Sequence, residues 1–190
     1  MDENLVRCAW VGDDEVYRRY HDEEWGVPVH QDEKLFEMLI LEGMQAGLSW
    51  ITVLRKRENF RRAFDNFEID KILGYDESKL NALAEDAGII RNRLKIRSVL
   101  TNARAFRAVQ KEYGSFDRFL WAYVDGKPIR NEWSDFSQIP ATTDLSDRIS
   151  RDLKKRGFKF VGSTIVYAFM QAVGMVDDHT EDCFLRAKKN

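Results

Sequence analysis

The sequence predicts an all-α fold, and three observations carry that reading. Only three prolines and eleven glycines punctuate 190 residues. Apolar residues recur mostly at three- and four-residue spacing, the period of a helix, and the strict alternation of a half-buried strand is nearly absent. In chain order the helices are expected at 13–24, 32–46, 49–64, 77–86, 92–113, 115–124, 145–156 and 162–175. Asp32, Ser49, Asn92 and Ser115 stand where a side-chain oxygen can cap the first backbone amides of four of them. Residues 125–145 form the longest irregular stretch, and Trp133, Phe136 and Ile139 within it indicate a packed loop rather than a linker. There is no internal repeat and no low-complexity tract. A hydrophobic content of 44% is ample for one core. We therefore expect one domain over residues 1–190, built as two helical lobes around a shared core.

Composition narrows the function classes. The longest apolar run, residues 36–41, is interrupted by Glu37 and falls well short of the ~20 residues that cross a bilayer. Residues 1–7 are acidic and lack an apolar signal core, so a cytoplasmic protein with no membrane partner is expected. The net charge of −2 is unlike that of most nucleic-acid-binding domains. The charge is polarised, however: residues 1–50 hold twelve acidic against four basic side chains, and residues 51–112 hold fourteen basic against nine acidic. Those basic segments read equally as solvated helix faces or as a surface for DNA.

Around residues 83–96 (Leu-Ala-Glu-Asp-Ala-Gly-Ile-Ile-Arg-Asn-Arg-Leu-Lys-Ile) one helix is expected to stop at Gly88, with a positive φ there, and another to begin at Asn92. This is a helix-hairpin-helix pattern. The free amides opening the second helix can hold an anion such as a DNA phosphate, with Arg91, Arg93, Lys95 and Arg97 adding charge. An ordinary helical hairpin with a charged face fits the same residues.

Two cysteines and three histidines are present, and four of the five gather near the ends: Cys8 with His21, and His179 with Cys183. If the tail is helical, His179 and Cys183 share a face four residues apart. Cys2His2 saturates a tetrahedral zinc ion and leaves no position for water, so such a site would be structural. Free core thiols beside incidental histidines are the alternative on spacing alone. His30 has no such neighbour and reads as a surface residue.

Residues 41–50 (Leu-Glu-Gly-Met-Gln-Ala-Gly-Leu-Ser-Trp) set a carboxylate and an indole about a helix break. Glu42 follows an apolar run and can face a pocket in which it needs a partner. Trp50, with Tyr20 and Trp25 if the N-terminus folds back, offers flat surfaces on which a base can stack. The same aromatics could be plain core.

These pieces sit in longer stretches that carry a resemblance: residues 7–11 (Arg-Cys-Ala-Trp-Val), 20–28 (Tyr-His-Asp-Glu-Glu-Trp-Gly-Val-Pro), 34–38, 41–54, 86–91 and 154–162. In these the chain resembles the bacterial 3-methyladenine DNA glycosylase I family over nearly its whole length. The resemblance implies a helix-hairpin-helix glycosylase fold, with a structural Zn2+ at Cys8, His21, His179 and Cys183 joining the two ends. It implies double-stranded alkylated DNA as partner and free 3-methyladenine as product; a monomer is the default expectation for the oligomeric state. Glu42 would read the polar edge of the adenine, while Trp50 and Tyr20 line the pocket and Trp25 lies beside them. Gly88, Ile89, Ile90 and Arg91 would grip the DNA backbone, and Gly47 and Leu48 would fill the space left by the flipped nucleotide. Most of the wider superfamily carries a catalytic aspartate after the hairpin; Asp117, Asp144 and Asp147 lie downstream, and none stands in that context. No lysine in the pocket motif is placed to form a Schiff base, so a monofunctional enzyme is expected. A zinc-stabilised DNA-binding module without chemistry and a helical protein-interaction domain are the competing readings.

Overall fold

The computed structural model describes residues 5–187; residues 1–4, the start of the acidic N-terminal stretch, and residues 188–190 lie outside them. The helices are α1 (Glu15–Glu23), α2 (Asp32–Gln45), α3 (Trp50–Arg55), α4 (Arg57–Ala63), α5 (Ile69–Leu73), α6 (Glu77–Glu85), α7 (Arg93–Tyr113), α8 (Phe116–Trp121), α9 (Asp144–Lys155), α10 (Ser163–Ala172) and α11 (Phe184–Ala187). Two two-residue strands, β1 (Ile129–Arg130) and β2 (Val176–Asp177), pair in parallel with Ile129 opposite Val176. The helical expectation holds, with that bridge as its exception.

Local chemistry explains most element ends. Asp14 accepts the amides of Val16 and Tyr17 to start α1, Asn92 accepts that of Lys95 to start α7, and Ser115 accepts that of Arg118 to start α8. Gly114, at φ +85, ends α7 in the left-handed conformation that favours glycine. Asp32 departs from its expected role. Gln31 holds the cap position of α2, and the Asp32 carboxylate instead accepts the amides of Phe116 and Asp117 and the Gln110 side chain. It caps α8 from across the fold. Ser49 stands at the cap of α3 but spends its hydroxyl on Thr52. The expected helix 49–64 is broken at Lys56, where ψ rises to 0.

The core runs through the middle of α2, whose residues Leu35, Phe36, Met38, Leu39 and Leu41 are almost wholly buried, and α2 packs against α10 and α7. This burial on every side is why α2 shows little apolar striping. Phe36, Phe106 and Phe116 join α2, α7 and α8 by ring contacts of 5.1 and 4.1 Å. Within residues 125–145 Trp133 packs as expected, its indole donating to Asp178 and its carbonyl accepting from Glu181 N–H, and Ile139 is half-buried, whereas Phe136, expected to pack, is 41% exposed.

The two ends meet where residues 26–29 cross residues 171–176. Gly26 N–H donates to the Gln171 carbonyl and Val29 N–H to that of Val173. At Gly174, with φ +68, a Cβ would sit 2.3 Å from the Val27 carbonyl carbon. Both the conformation and the close approach demand glycine. We expect Gly174→Ala to cost at least about 3 kcal/mol of stability in urea denaturation. Gly126, at φ +72 with nothing within 4 Å, isolates the backbone effect, and Gly126→Ala should cost only about 1 kcal/mol. Equal losses would contradict the crossing as the reason for Gly174.

Candidate functional site

A cavity of about 380 Å³ opens between the N-terminal aromatics and α10. One wall is Trp10, Tyr17, Tyr20, Trp25 and Trp50; α2 contributes Glu42 and Gln45; α10 contributes Thr164, Tyr167, Ala168 and Gln171; and the loop Phe136, Ile139, Pro140 and Ala141 closes the remaining side. The α10 positions recur at three- and four-residue spacing and therefore share one face of that helix.

Helix α1 is held in place by polar contacts at both ends. The Tyr17 hydroxyl accepts the Ile51 amide of α3's first turn at 3.0 Å, and Arg55 donates to Asp14. At the other end Arg57 forms a bidentate pair with Glu24 at 2.7 and 2.6 Å, and Arg61 pairs with Glu37 of α2. This locks Tyr20 against Trp50, with ring centroids 5.6 Å apart. Trp10 is the hub of the aromatic wall, edge-on to Tyr17, Tyr20 and Trp25 at 5.2 to 6.3 Å. The sequence reading found Tyr20, Trp25, Glu42 and Trp50, and the structure brings all four together. It missed Trp10, Tyr17, Gln45 and the α10 face; the 164/167/168/171 spacing was the available signal for the last.

Glu42 is 3% exposed, and its Oε2 is buried without a hydrogen-bond partner, as are the indole nitrogens of Trp10 and Trp50. Burial pushes its carboxyl up from the ordinary 4.5 to about 8. The Tyr20 phenol is pushed up as well, first by burial and then by the neighbouring Glu42. A cavity with unspent donors and an unspent carboxyl between aromatic faces fits a flat polar ring.

A second carboxylate beside the cavity is fully spent. Asp178 Oδ2 accepts the Tyr167 hydroxyl at 2.6 Å and the Gln171 amide at 2.8 Å, while Oδ1 accepts Asn131 at 2.7 Å and Trp133 at 2.8 Å. Neighbouring His179 belongs to the cluster of the chain ends. Cys8, His21 and Cys183, all buried, bring ligand atoms within 4.8 Å of one another. His179 lies outside that trio, with its ring edge-on to His21 at 5.1 Å and its Nε2 buried without a partner. Nδ1 of His21 is 2.8 Å from Asp22, and Nδ1 of His179 is 2.6 Å from Asp177. The expected helix through 179–183 is absent: Asp177 ends β2, and a turn closed by Cys183 N–H on the Thr180 carbonyl brings Cys183 round.

The turn between α6 and α7 also differs from expectation. Helix α6 ends at Glu85, and Gly88 is not among the residues of positive φ. The Gly88 amide donates to Asp86 Oδ1 at 2.7 Å, and a Cβ would lie 2.9 Å from that oxygen, so a side chain at 88 would push the Asp86 carboxylate aside. Its carbonyl is held by Lys56 and Asn59. Ile89 is buried, Ile90 half-buried and Arg91 exposed, so Ile89 can offer a ligand only its backbone. Arg93 and Arg97 pair with Glu85 and Glu77. Lys95 points inward: 5% exposed, it donates to the Met44 and Ala46 carbonyls that end α2, and burial lowers its pKa. Gly47, at φ +79, and Leu48 are exposed on the α2–α3 loop next to the cavity. Asp144 and Asp147 are exposed, Asp117 bonds His30, and none of the three lines the cavity. His30 is at the surface, as expected, against Trp121.

The family model for methyladenine glycosylase matches residues 10–186. The chain belongs to the methyladenine glycosylase family. It is 50% identical over 179 residues to DNA-3-methyladenine glycosylase 1 of Escherichia coli K12, covering 94% of this chain and 96% of that protein. It is 48% identical over 178 residues to DNA-3-methyladenine glycosylase of Haemophilus influenzae, covering 94% and 96%. The structure of 3-methyladenine DNA glycosylase I from Staphylococcus aureus, determined for the basis of 3-methyladenine recognition, matches with a TM-score of 0.92 at 36% identity, covering 96% of this chain and 97% of that one. Membership confirms the resemblance carried by the motifs and sets aside the helical protein-interaction reading.

The unpartnered Glu42 carboxyl has a consequence for stability. For an acid whose folded value, about 8, lies above its unfolded one, the native state alone holds the proton between about 4.5 and 8, so stability falls as pH climbs through that window. Glu42→Gln removes the effect. Its melting temperature relative to the parent protein should rise by several degrees between pH 5 and pH 8. A gap independent of pH would contradict the unpartnered carboxyl.

Proposed function

We propose that the cavity is the base pocket of this DNA-3-methyladenine glycosylase, a base-excision repair hydrolase, and that Glu42 is its central polar contact. The supporting observation is the buried, unpartnered Glu42 carboxyl between Tyr20, Trp50 and Trp10. An adenine methylated at N3 is cationic in the nucleotide and leaves as a neutral base, so the protein need only extrude it and favour departure. Flipping costs a few kcal/mol, and contacts to the DNA backbone offset that cost. In this reading Tyr20 and Trp50 stack on the base, Trp25 backs them, and Glu42 accepts a hydrogen bond from the exocyclic amine. Water then attacks the sugar carbon with no lysine intermediate, which makes the enzyme monofunctional.

The turn 86–92 serves as a helix-hairpin-helix grip for double-stranded alkylated DNA. Asn92 occupies only the Lys95 amide with its side chain, so the amides of Arg93 and Leu94 remain for a phosphate, joined by the Ile90 amide and the Arg91 charge, while Gly88 and Ile89, whose amides donate to Asp86, shape the turn. Leu48 and Gly47 enter the gap left by the nucleotide. The protein acts as a monomer of one domain with two helical lobes about the pocket, in the bacterial cytoplasm; among the described residues no helix is long and apolar enough to cross a membrane. Incubation with methylated DNA should release 3-methyladenine, identified by chromatography. Glu42→Ala and Glu42→Gln should fold and lose at least about tenfold in release, the worth of one hydrogen bond. Unchanged excision by both variants would remove Glu42 from the mechanism.

The trio Cys8, His21 and Cys183 supports a structural Zn2+, for which His179 is the proposed fourth ligand. Each imidazole places Nδ1 against a carboxylate, the second-shell arrangement that directs Nε2 to a metal, and the Nε2 of His179 has no other partner. Four ligands close the coordination sphere, so the ion contributes folding energy and joins the chain ends without entering the chemistry. Cys183→Ser should lose bound zinc and melt at lower temperature. An unchanged zinc content by atomic absorption would contradict the assignment.

A further inference from the structure

We propose that Asp178 is a positioning residue that sets the hydrogen-bond polarity of the α10 wall, turning Tyr167 and Gln171 into acceptors toward the base and so favouring a 6-amino purine over a 6-oxo one. The inference rests on the reading of the cavity as a purine pocket. It arises from a contrast between two buried carboxyl groups beside one cavity: Glu42 has an unspent oxygen, whereas Asp178, 0% exposed, receives four donors.

A carboxylate offers lone pairs only, and an indole N–H can only donate, so Trp133 identifies Oδ1 as an acceptor. The other three groups are ambivalent, and the carboxylate decides their orientation. Tyr167 has one hydroxyl proton and spends it on Oδ2, which leaves the phenolic oxygen its lone pairs. Gln171 must turn its amide nitrogen to Oδ2, because its oxygen there would set lone pair against lone pair. The amide carbonyl of Gln171 is then turned away from Asp178 and left to accept from a ligand, with the second amide hydrogen beside it. Both residues line the same cavity as Glu42, so the two hydrogens of one amine can be shared between Glu42 and this wall. A purine with an amine at position 6 supplies hydrogens to such a wall. One with an oxygen there meets further lone pairs, and sites built to hydrogen-bond one group discriminate strongly against its absence.

The test uses the intact protein and DNA methylated so that 3-methyladenine and 3-methylguanine are both present, with the kcat/KM ratio of the two releases as readout. Asp178→Asn keeps the shape but adds two amide hydrogens, which frees Tyr167 or Gln171 to donate toward the cavity. The preference for 3-methyladenine should fall about tenfold, the worth of one hydrogen bond. Gln171→Met leaves Asp178 its other three donors and should lower 3-methyladenine release without lowering 3-methylguanine release. It carries the test if Asp178→Asn does not fold. A clasp that only holds residues 131–133 to the core would reduce the melting temperature and both releases together; an unchanged ratio in these variants beside an active parent protein overturns the inference alone. A parent protein that releases neither base overturns the pocket reading and this inference with it.

Discussion

The crossing of residues 26–29 over residues 171–176 is the constraint on which the rest of the site depends. Backbone there runs so close to backbone that Gly174 has no room for a side chain, and Gly26 would place a Cβ 2.8 Å from the His179 ring. Because α1 immediately precedes the crossing and α10 immediately precedes Gly174, the contact brings Tyr20 and Trp25 to face Tyr167 and Gln171. It also delivers Cys8 and His21 to Cys183. The cavity and the cluster of the chain ends are two sides of one backbone contact, and neither can be assembled by its own residues alone.

The pocket handles its charges in two opposite ways. Around it, carboxylates are spent: Glu24 on Arg57, Glu37 on Arg61, Asp14 on Arg55 and on the start of α1, and Asp178 on four donors. These groups hold helices at fixed separations. Among the described residues Glu42 is the carboxyl that keeps a buried oxygen without a hydrogen-bond partner. A group left in that condition lowers the stability of the empty protein and strengthens whatever bond a ligand makes to it. Rigid surroundings make the contrast effective, since a softer shell would let Glu42 find a partner nearby.

The helices were legible in the sequence because their apolar residues repeat, and the motif residues Tyr20, Trp25, Glu42 and Trp50 were legible because they stand in family-like stretches. What escaped notice depends on contacts distant in sequence. Asp32 sits at a helix start and looks like its cap, yet serves α8 more than eighty residues away. Lys95 lies among surface arginines in sequence and points inward in space. Trp10 was quoted within a motif but given no role, since only the fold shows it touching Tyr17, Tyr20 and Trp25. The geometry at Gly88 was misread because a glycine ending a helix suggests a left-handed turn, whereas here the missing Cβ makes room for the Asp86 carboxylate.

Lys95 carries one further consequence. It belongs to the helix that follows the backbone-gripping turn, and its ammonium is fastened to the last carbonyls of α2, just before Gly47 and Leu48. A single four-carbon stem therefore ties together the two segments that the proposed function gives to DNA, the 86–92 turn with the start of α7 and the Gly47–Leu48 loop. In that reading the stem acts as a ruler: it sets the offset between the turn that would hold a phosphate and the loop that would enter the base stack before any duplex arrives.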